Sequence, residues 1–174
     1  MPPPRFTRQP PQGKRGAASA PKSRLIRAQK DHDPYTWSEV ECEAYKQGQE
    51  AGREWKSIIR QVLVGKQAEK TGFHLRYFEI EPGGYSSLEK HAHAHVVLAV
   101  RGQGRVILND QAWEMQALDT VYVAPWTPHQ FLADSDEPFG FFCIVDAQRD
   151  RPQAVSQREG RLAQAVGAQS DMPD

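Results

Sequence analysis

The chain has 174 residues, enough for one well-buried domain but too few for two once its polar ends are set aside. Basic and acidic side chains both total 22, so the overall charge gives no reason to expect a polyanionic partner or a membrane surface. There is no apolar run of about 20 residues, the length that crosses a bilayer, and no secretory signal, so we expect a cytoplasmic protein.

The N-terminal segment differs in composition from the rest of the chain. Its first 30 residues contain eight basic side chains, no acidic one and few large apolar ones, so burial cannot offset the entropy of ordering. We expect a disordered basic tail over 1–33, a domain over 34–148 with its core motifs in 58–146, and a polar tail or short helix over 149–174. Nucleic-acid binding by the tail is the weaker interpretation, because aromatic side chains do not alternate with the basic ones.

Short segments of β-strand character fill the predicted domain. Val40, Cys42 and Ala44 alternate with glutamates, which predicts a half-buried strand over 37–46 with a solvated charged face. Further segments, separated by turn signals, follow at 58–64, 73–80, 96–100, 105–108, 112–115, 120–124 and 139–145. Many short strands of this kind indicate an all-β sandwich, barrel or jelly roll. A short helix is predicted around 154–168.

Three of the six histidines, His91, His93 and His95, fall within five residues. Neutral imidazole is the commonest metal ligand in proteins. On a straight strand Glu89 and His95 would lie about 20 Å apart at about 3.3 Å per residue, too far for one ion. The strand must therefore turn, so that Glu89 and His91 come from one strand and His95 from its neighbour. His129, the sole histidine downstream of the cluster, is the candidate from a later strand.

The spacing of these residues resembles the first motif of the cupins, G-x5-H-x-H-x3,4-E-x6-G. Its positions are occupied here by Gly83, Glu89, His91, His95 and Gly102. Glu89 stands in place of the first family histidine, and His95 in place of the family glutamate. The chain is similar to small single-domain microbial cupins that hold a metal with four histidines.

The segment Pro125-Trp126-Thr127-Pro128-His129 resembles the second cupin motif and makes His129 the last ligand. The resemblance covers residues 58–146 and implies an antiparallel β-barrel, the double-stranded β-helix or jelly roll. A rival register, with His93 in the first motif's histidine pair, puts an apolar residue in the carboxylate position, so His93 is kept as the reserve ligand. The predicted metal ligands are Glu89, His91, His95 and His129.

A site of three imidazoles and one carboxylate suits a divalent transition metal, namely Mn, Fe, Cu, Ni or Zn. The resemblance favours a metal-dependent oxidoreductase, dioxygenase-like, that acts on a small organic molecule. Tyr77, Trp126 and Phe142 are candidates to hold that molecule, although core packing is the more ordinary role for each. The alternative is a non-catalytic module that binds or senses a small ligand and carries a structural metal. No catalytic residue is assigned.

A homodimer is expected, with the strand over 37–46 at a sheet edge or crossing to a partner chain.

Overall fold

The computed structural model describes residues 22–31, 34–49, 51–67 and 69–169. Within these ranges the chain forms thirteen β-strands and one α-helix. The elements are β1 (Ala28–Gln29), β2 (Thr36–Trp37), β3 (Cys42–Ala44), β4 (Lys56–Val64), β5 (Phe73–Tyr85), β6 (Glu89–Lys90), β7 (His95–Arg101), β8 (Gln103–Leu108), β9 (Gln111–Gln116), β10 (Thr120–Val123), β11 (His129–Leu132), β12 (Phe139–Asp146), β13 (Gln153–Ala154) and α1 (Gln157–Gln169). In this part of the chain, no helix is long and apolar enough to cross a membrane.

The strands form a curled antiparallel sheet with two halves. One half has the order β10-β7-β12-β5-β4-β3, and the other has the order β9-β8-β11-β6-β13. Strand β5 joins them, because Tyr85 near its end pairs with Leu132 of β11 and with Lys56 of β4. The predicted all-β jelly-roll class is confirmed.

A bulge in β5 carries the strand from one half to the other. Between Ile80 and Tyr85 it advances five residues, while β4 advances only two, from Ile58 to Lys56. Gly83 lies in this bulge with φ of 69°, a left-handed conformation that glycine adopts without a steric penalty. The sequence Pro82-Gly83-Gly84 thus places both halves of the sheet around one interior.

The main hydrophobic core lies between the two halves. It is built from alternating inward residues, as on β7, where Val97 and Ala99 are fully buried while Val96 is 40% exposed. His95 has the same parity as Val97, so its imidazole is directed into the interior. On β11 the inward positions are His129 and Phe131. The period of two therefore brings histidines from two strands into the apolar core.

A second apolar cluster covers the opposite face of β5. Trp37, Leu63 and Tyr77 form its buried centre, and Ile26 packs against it. The Nη2 atom of Arg24 donates to the carbonyl of Leu63 at 3.0 Å. The disordered tail predicted over 1–33 lies mostly outside the described residues, but its described part, 22–31, packs on the domain, so ordered structure begins before residue 34.

The strand predicted over 37–46 is wrong in its extent and its facing. Glu39 has φ of 61°, and the turn there separates β2 from β3. In β3 the two small apolar side chains are exposed, whereas Glu43 is half-buried and accepts a hydrogen bond from Arg60 Nη2 at 2.8 Å. The ion pair, not the apolar alternation, sets the facing of β3. Strand β3 does add to the sheet edge beside β4, and the homodimer stays a prediction.

Helix α1 occupies most of the segment predicted to be helical. Ser156 and Glu159 cap its start reciprocally: the Glu159 amide donates to Ser156 Oγ at 3.3 Å, and the Ser156 amide donates to Glu159 Oε2 at 2.7 Å. Glu159 also pairs with Lys90 Nζ at 2.7 Å, which ties the helix to β6.

Candidate metal centre

The two loops that carry the histidines meet at one end of the sheet. Strand β6 ends at Lys90 and β7 begins at His95, so the predicted turn between Glu89 and His95 is confirmed. The Trp126 amide donates to the carbonyl of His91 at 2.7 Å, which joins this turn to the loop before β11. His129 is the first residue of β11. Backbone hydrogen bonding therefore fixes the distance between the two motifs.

His91, His95 and His129 converge within the interior. Each offers one ring nitrogen, and these three atoms lie within 4.8 Å of one another. The ring centroids are 4.5 Å apart for His91 and His95, and 4.9 Å apart for His91 and His129. All three side chains are buried. The spacing suits three imidazoles around a single ion with bonds of about 2 Å.

The other ring nitrogens of two of these histidines are occupied. Nδ1 of His91 donates to the carbonyl of His93 at 2.8 Å, and Nδ1 of His129 donates to the carbonyl of Thr127 at 2.8 Å. Each bond leaves the lone pair on Nε2, as metal-binding histidines require. Nε2 of His91 and of His95 are buried and have no hydrogen-bond partner among the described residues. A metal ion between these atoms would supply the missing partner, so the residues fit the group that the motif implies.

His91, His95 and His129 are held in the neutral form. Burial is the main cause that lowers the pKa of His91 to about 4, and the electrostatic influence of the neighbouring His129 and His93 rings adds to it. Burial is also the main cause that lowers the pKa of His95 and of His129. Neutral imidazoles have free lone pairs, so at neutral pH a metal need not displace protons from this cluster.

Glu89 lies beside the cluster with its carboxylate engaged. It is 7% exposed, and its Cα pairs with that of His129 across β6 and β11. Its Oε2 accepts hydrogen bonds from Lys46 Nζ and, at 2.9 Å, from Ser87 Oγ. Within the described residues Glu89 belongs to no group of candidate ligand atoms within 4.8 Å of one another. Glu89 stays the predicted fourth ligand, now with a lysine as its competing partner.

His93 belongs to a second candidate group, with His91 and Asp150. Its ring stacks on that of His91 at 3.6 Å, and its Nδ1 donates to Asp150 Oδ1 at 2.6 Å. Asp150 also accepts the Ala92 amide, the first of the contacts that lower its pKa to about 2. The carboxylate is therefore ionised and holds the histidine turn from outside. Its position, 57 residues after His93, gave no sequence signal.

The histidines open into a cavity of about 510 Å³. Its apolar wall includes Phe78, Val97, Phe131 and Phe141. Its described lining also contains two acidic side chains, Glu89 and Asp150, and six basic ones. The basic residues are Lys46, Arg53, Arg60, Arg76, Arg149 and Arg151. The cavity therefore carries a positive charge suited to an anionic ligand.

Comparisons with known proteins agree with this geometry. A family model described as a cupin domain matches residues 76–145. An enzyme of Rhodospirillum rubrum named 1-methylthio-D-xylulose 5-phosphate methylsulfurylase is 39% identical over 134 residues, which cover 77% of this chain and 83% of the enzyme. The chain is a cupin.

Solved structures place this cupin beside other small cupins. A cupin-2 domain from Rhodospirillum rubrum is 36% identical, with 79% of this chain and 91% of that chain covered and a TM-score of 0.69. A cupin 2 conserved barrel domain protein from Rhodopseudomonas palustris is 35% identical, with 75% and 92% covered and a TM-score of 0.65. The expected membership of the cupins, as a small single-domain cupin, is confirmed.

The aromatic candidates for holding a ligand do not line the cavity of this cupin in the part of the chain that the structure describes. Tyr77 has the opposite parity to Phe78 and packs with Phe142 in the outer cluster, at a ring distance of 5.6 Å. Trp126 is 50% exposed in its turn. The basic lining was not predicted from the sequence. Arg60 shares its strand face with Ile58 and Val62, and a charged residue on that inward face could have indicated it.

Proposed function

We propose that this protein is a metal-dependent cupin enzyme that acts on a small phosphorylated sugar carrying a methylthio group. The observation that carries the proposal is the joining of two features in one cavity: a cluster of neutral imidazoles and a basic lining. The Rhodospirillum rubrum relative is named for a substrate that suits such a cavity, a ketopentose with a phosphate at one end and a methylthio group at the other. Its phosphate is an anion that a basic lining can bind.

His91, His95 and His129 would hold the metal, with Glu89 as the predicted fourth ligand and His93 in reserve. A bound divalent metal, whether Mn, Fe, Ni, Cu or Zn, would polarise substrate oxygens. The imidazole orientations are set in advance by the carbonyls of His93 and Thr127. Preorganised ligands of this kind keep their geometry when a substrate enters.

Lys46, Ser87 and Glu89 form a charged group beside the histidines. Ser87 Oγ donates to Glu89 Oε2, and the Tyr45 hydroxyl lies 3.1 Å from Ser87 Oγ. This network holds the Lys46 ammonium group and the Ser87 hydroxyl at the cavity wall, where they can hydrogen-bond to the oxygens of a bound sugar. The aromatic wall formed by Phe78, Phe131 and Phe141 presents an apolar surface on that part of the cavity.

The proposal differs from a dioxygenase-like oxidation, which stays a prediction. A phosphorylated substrate accounts for the six basic side chains of the described lining, whereas an uncharged organic substrate does not. The non-catalytic alternative, a module that binds a small ligand around a structural metal, is separated from an enzyme by turnover.

The test is to load the full chain with each candidate metal in turn and incubate it with 1-methylthio-D-xylulose 5-phosphate, with and without a small thiol to accept the methylthio group. Phosphorus NMR and mass spectrometry would follow the substrate. We expect metal-dependent conversion that is lost in His91→Ala and kept in Arg161→Met, which alters an exposed arginine on α1, outside the cluster. Binding of the sugar phosphate with no conversion under any metal would favour the non-catalytic module.

A further inference from the structure

Three arginines form one wall of the cavity next to the histidines. Arg60 lies on β4, Arg76 on β5, and Arg149 follows β12 at the rim. In the ladders Arg60 pairs with Phe78, and Arg76 pairs with Cys143. Phe78 and Cys143 both face the cavity, so the sheet places the arginines of neighbouring strands on its inner side.

The charges of these arginines are poorly matched by acidic partners. Arg60 Nη2 contacts Glu43, which is shared with Lys66. Arg76 Nη2 donates to Cys143 Sγ at 3.1 Å, and Arg149 Nη1 donates to the carbonyl of Asp146 at 2.7 Å. Neither of the last two contacts is to a carboxylate.

Donor atoms on this wall are also left over. Nε of Arg60 and Nε of Arg76 are buried and make no hydrogen bond within the described residues. A buried guanidinium N–H without an acceptor is costly, so such atoms are expected where a ligand oxygen will bind.

The three guanidinium groups are close enough to repel one another. Burial lowers the pKa of Arg60, and the neighbouring charge of Arg76 lowers it further. Burial likewise lowers the pKa of Arg149, with the charges of Arg76 and Arg60 as additional causes. An anion bound among them would remove this repulsion and would use the forked donors that suit phosphate oxygens.

The wall begins directly beside the metal-binding cluster. Arg76 contacts Cys143 Sγ, which in turn lies 3.4 Å from Nδ1 of His95. Both groups of side chains line the same cavity of about 510 Å³. One small molecule can therefore contact the arginines with one end and the histidines' open face with the other.

We propose that Arg60, Arg76 and Arg149 bind the phosphate group of the substrate and so orient its other end toward the histidine cluster. The substrate class, a sugar phosphate, rests on the proposed function, whereas the arginine site rests on the contacts of this wall. Arg60 and Arg76 supply the buried donors, and Arg149 closes the site from the rim.

The test is calorimetric titration of the full, metal-loaded chain with D-xylulose 5-phosphate, with inorganic phosphate and with D-xylulose. We expect the ester to bind most tightly. Arg60→Met and Arg76→Met should each weaken ester binding about ten-fold or more and leave D-xylulose binding unchanged, because a hydrogen bond to a charged group is lost. Arg76→Lys, which keeps the positive charge but lacks the paired donors of the guanidinium group, should give an intermediate loss of ester affinity. Arg161→Met, which alters an exposed arginine on α1, is the matched control and should bind like the unaltered chain.

Ester binding equal to that of the unaltered chain in both methionine variants, with their melting temperatures preserved, would overturn the phosphate site. An equal loss for D-xylulose and its phosphate would also overturn it. Turnover and arginine-dependent binding test the proposed function and the phosphate site separately. Arginine-dependent phosphate binding without turnover of the methylthio sugar would remove only the proposed function, and turnover with an unchanged KM in the arginine variants would remove only the phosphate site.

Discussion

Strand β5 separates two buried polar clusters whose hydrogen bonding differs. On the outer face, both carboxylate oxygens of Glu79 are occupied: Oε1 accepts from Arg101 at 2.6 Å, and Oε2 accepts from the Tyr77 hydroxyl and the Tyr35 amide. On the inner side, Nε2 of His91 and of His95 lack a partner within the described residues. Both clusters are buried, so the difference is not one of solvent access.

Buried polar groups therefore fall into two kinds, those that stabilise the fold and those that are available to a ligand. A buried carboxylate must be paired because its desolvation is costly, and Glu79 is paired with the segment that covers the outer sheet face. An imidazole can stay neutral instead, and burial has lowered the pKa of His91 accordingly. A paired group stabilises the fold, whereas unpaired lone pairs that converge are available to a ligand.

The largest effect on stability is expected from Glu79→Leu. Removing the carboxylate takes a hydrogen-bond acceptor away from Arg101 and from the Tyr77 hydroxyl. The free energy of unfolding should therefore fall by about 3–5 kcal/mol. Denaturant unfolding measures the loss. Glu79→Gln, which keeps an acceptor, should lose less, and metal content should be unchanged in both. A drop in metal affinity at preserved stability would contradict the division between the two faces.

The second prediction concerns the fourth ligand. Glu89→Ala should weaken metal binding by about 10–100-fold, the range for groups that ligate or support ligands. His93→Ala is the matched comparison and should have the smaller effect. Metal titration of both variants decides between them. A larger loss of metal affinity in His93→Ala than in Glu89→Ala would show that His93, not Glu89, is the fourth ligand.

The third prediction is a pH dependence of the metal-free protein. In the unfolded chain the imidazole of His91 has a pKa near its ordinary value of about 6.5, but in the fold it is lowered to about 4. Below pH 6.5 the unfolded state therefore binds a proton that the folded state does not, and stability falls with pH until about pH 4. Between pH 6.5 and 5 the loss from this group amounts to about 2 kcal/mol.

Denaturant unfolding of the metal-free chain across this window would measure the slope. His91→Gln, which cannot titrate there, should reduce the slope by the contribution of one proton, and the slope that remains comes from His95 and His129. An identical slope in both proteins would show that His91 is not held neutral by the fold.

The smallest effect is expected at α1, which lies outside both clusters. Ser156→Ala removes the side-chain cap and should destabilise the helix by about 1 kcal/mol. Hydrogen exchange should rise in the first turn of α1 only. A change in metal content or in the protection of β7 would show that the helix supports the site more strongly than its contact with Lys90 indicates.

Much of the fold and part of the site could be predicted from the sequence. The period of two located the main strands, and the limit on ligand distance required the turn between Glu89 and His95. The facing of β3 could not be predicted, because it depends on the contact between Glu43 and Arg60, which is distant in sequence. For the arginine wall, strand alternation could have shown that Arg60 and Arg76 face inward, but it could not have shown that the two arginines and Arg149 lie together in one cavity.

Metal binding by His91, His95 and His129 is tested most directly by the metal content of the full chain, purified without chelator and reloaded, measured by elemental analysis. We expect about one transition-metal ion per chain, lost in His91→Ala and in His129→Ala and kept in His74→Ala and Glu79→Gln. Metal content that is the same in all of these proteins, or absent from the unaltered chain after reloading, would contradict it.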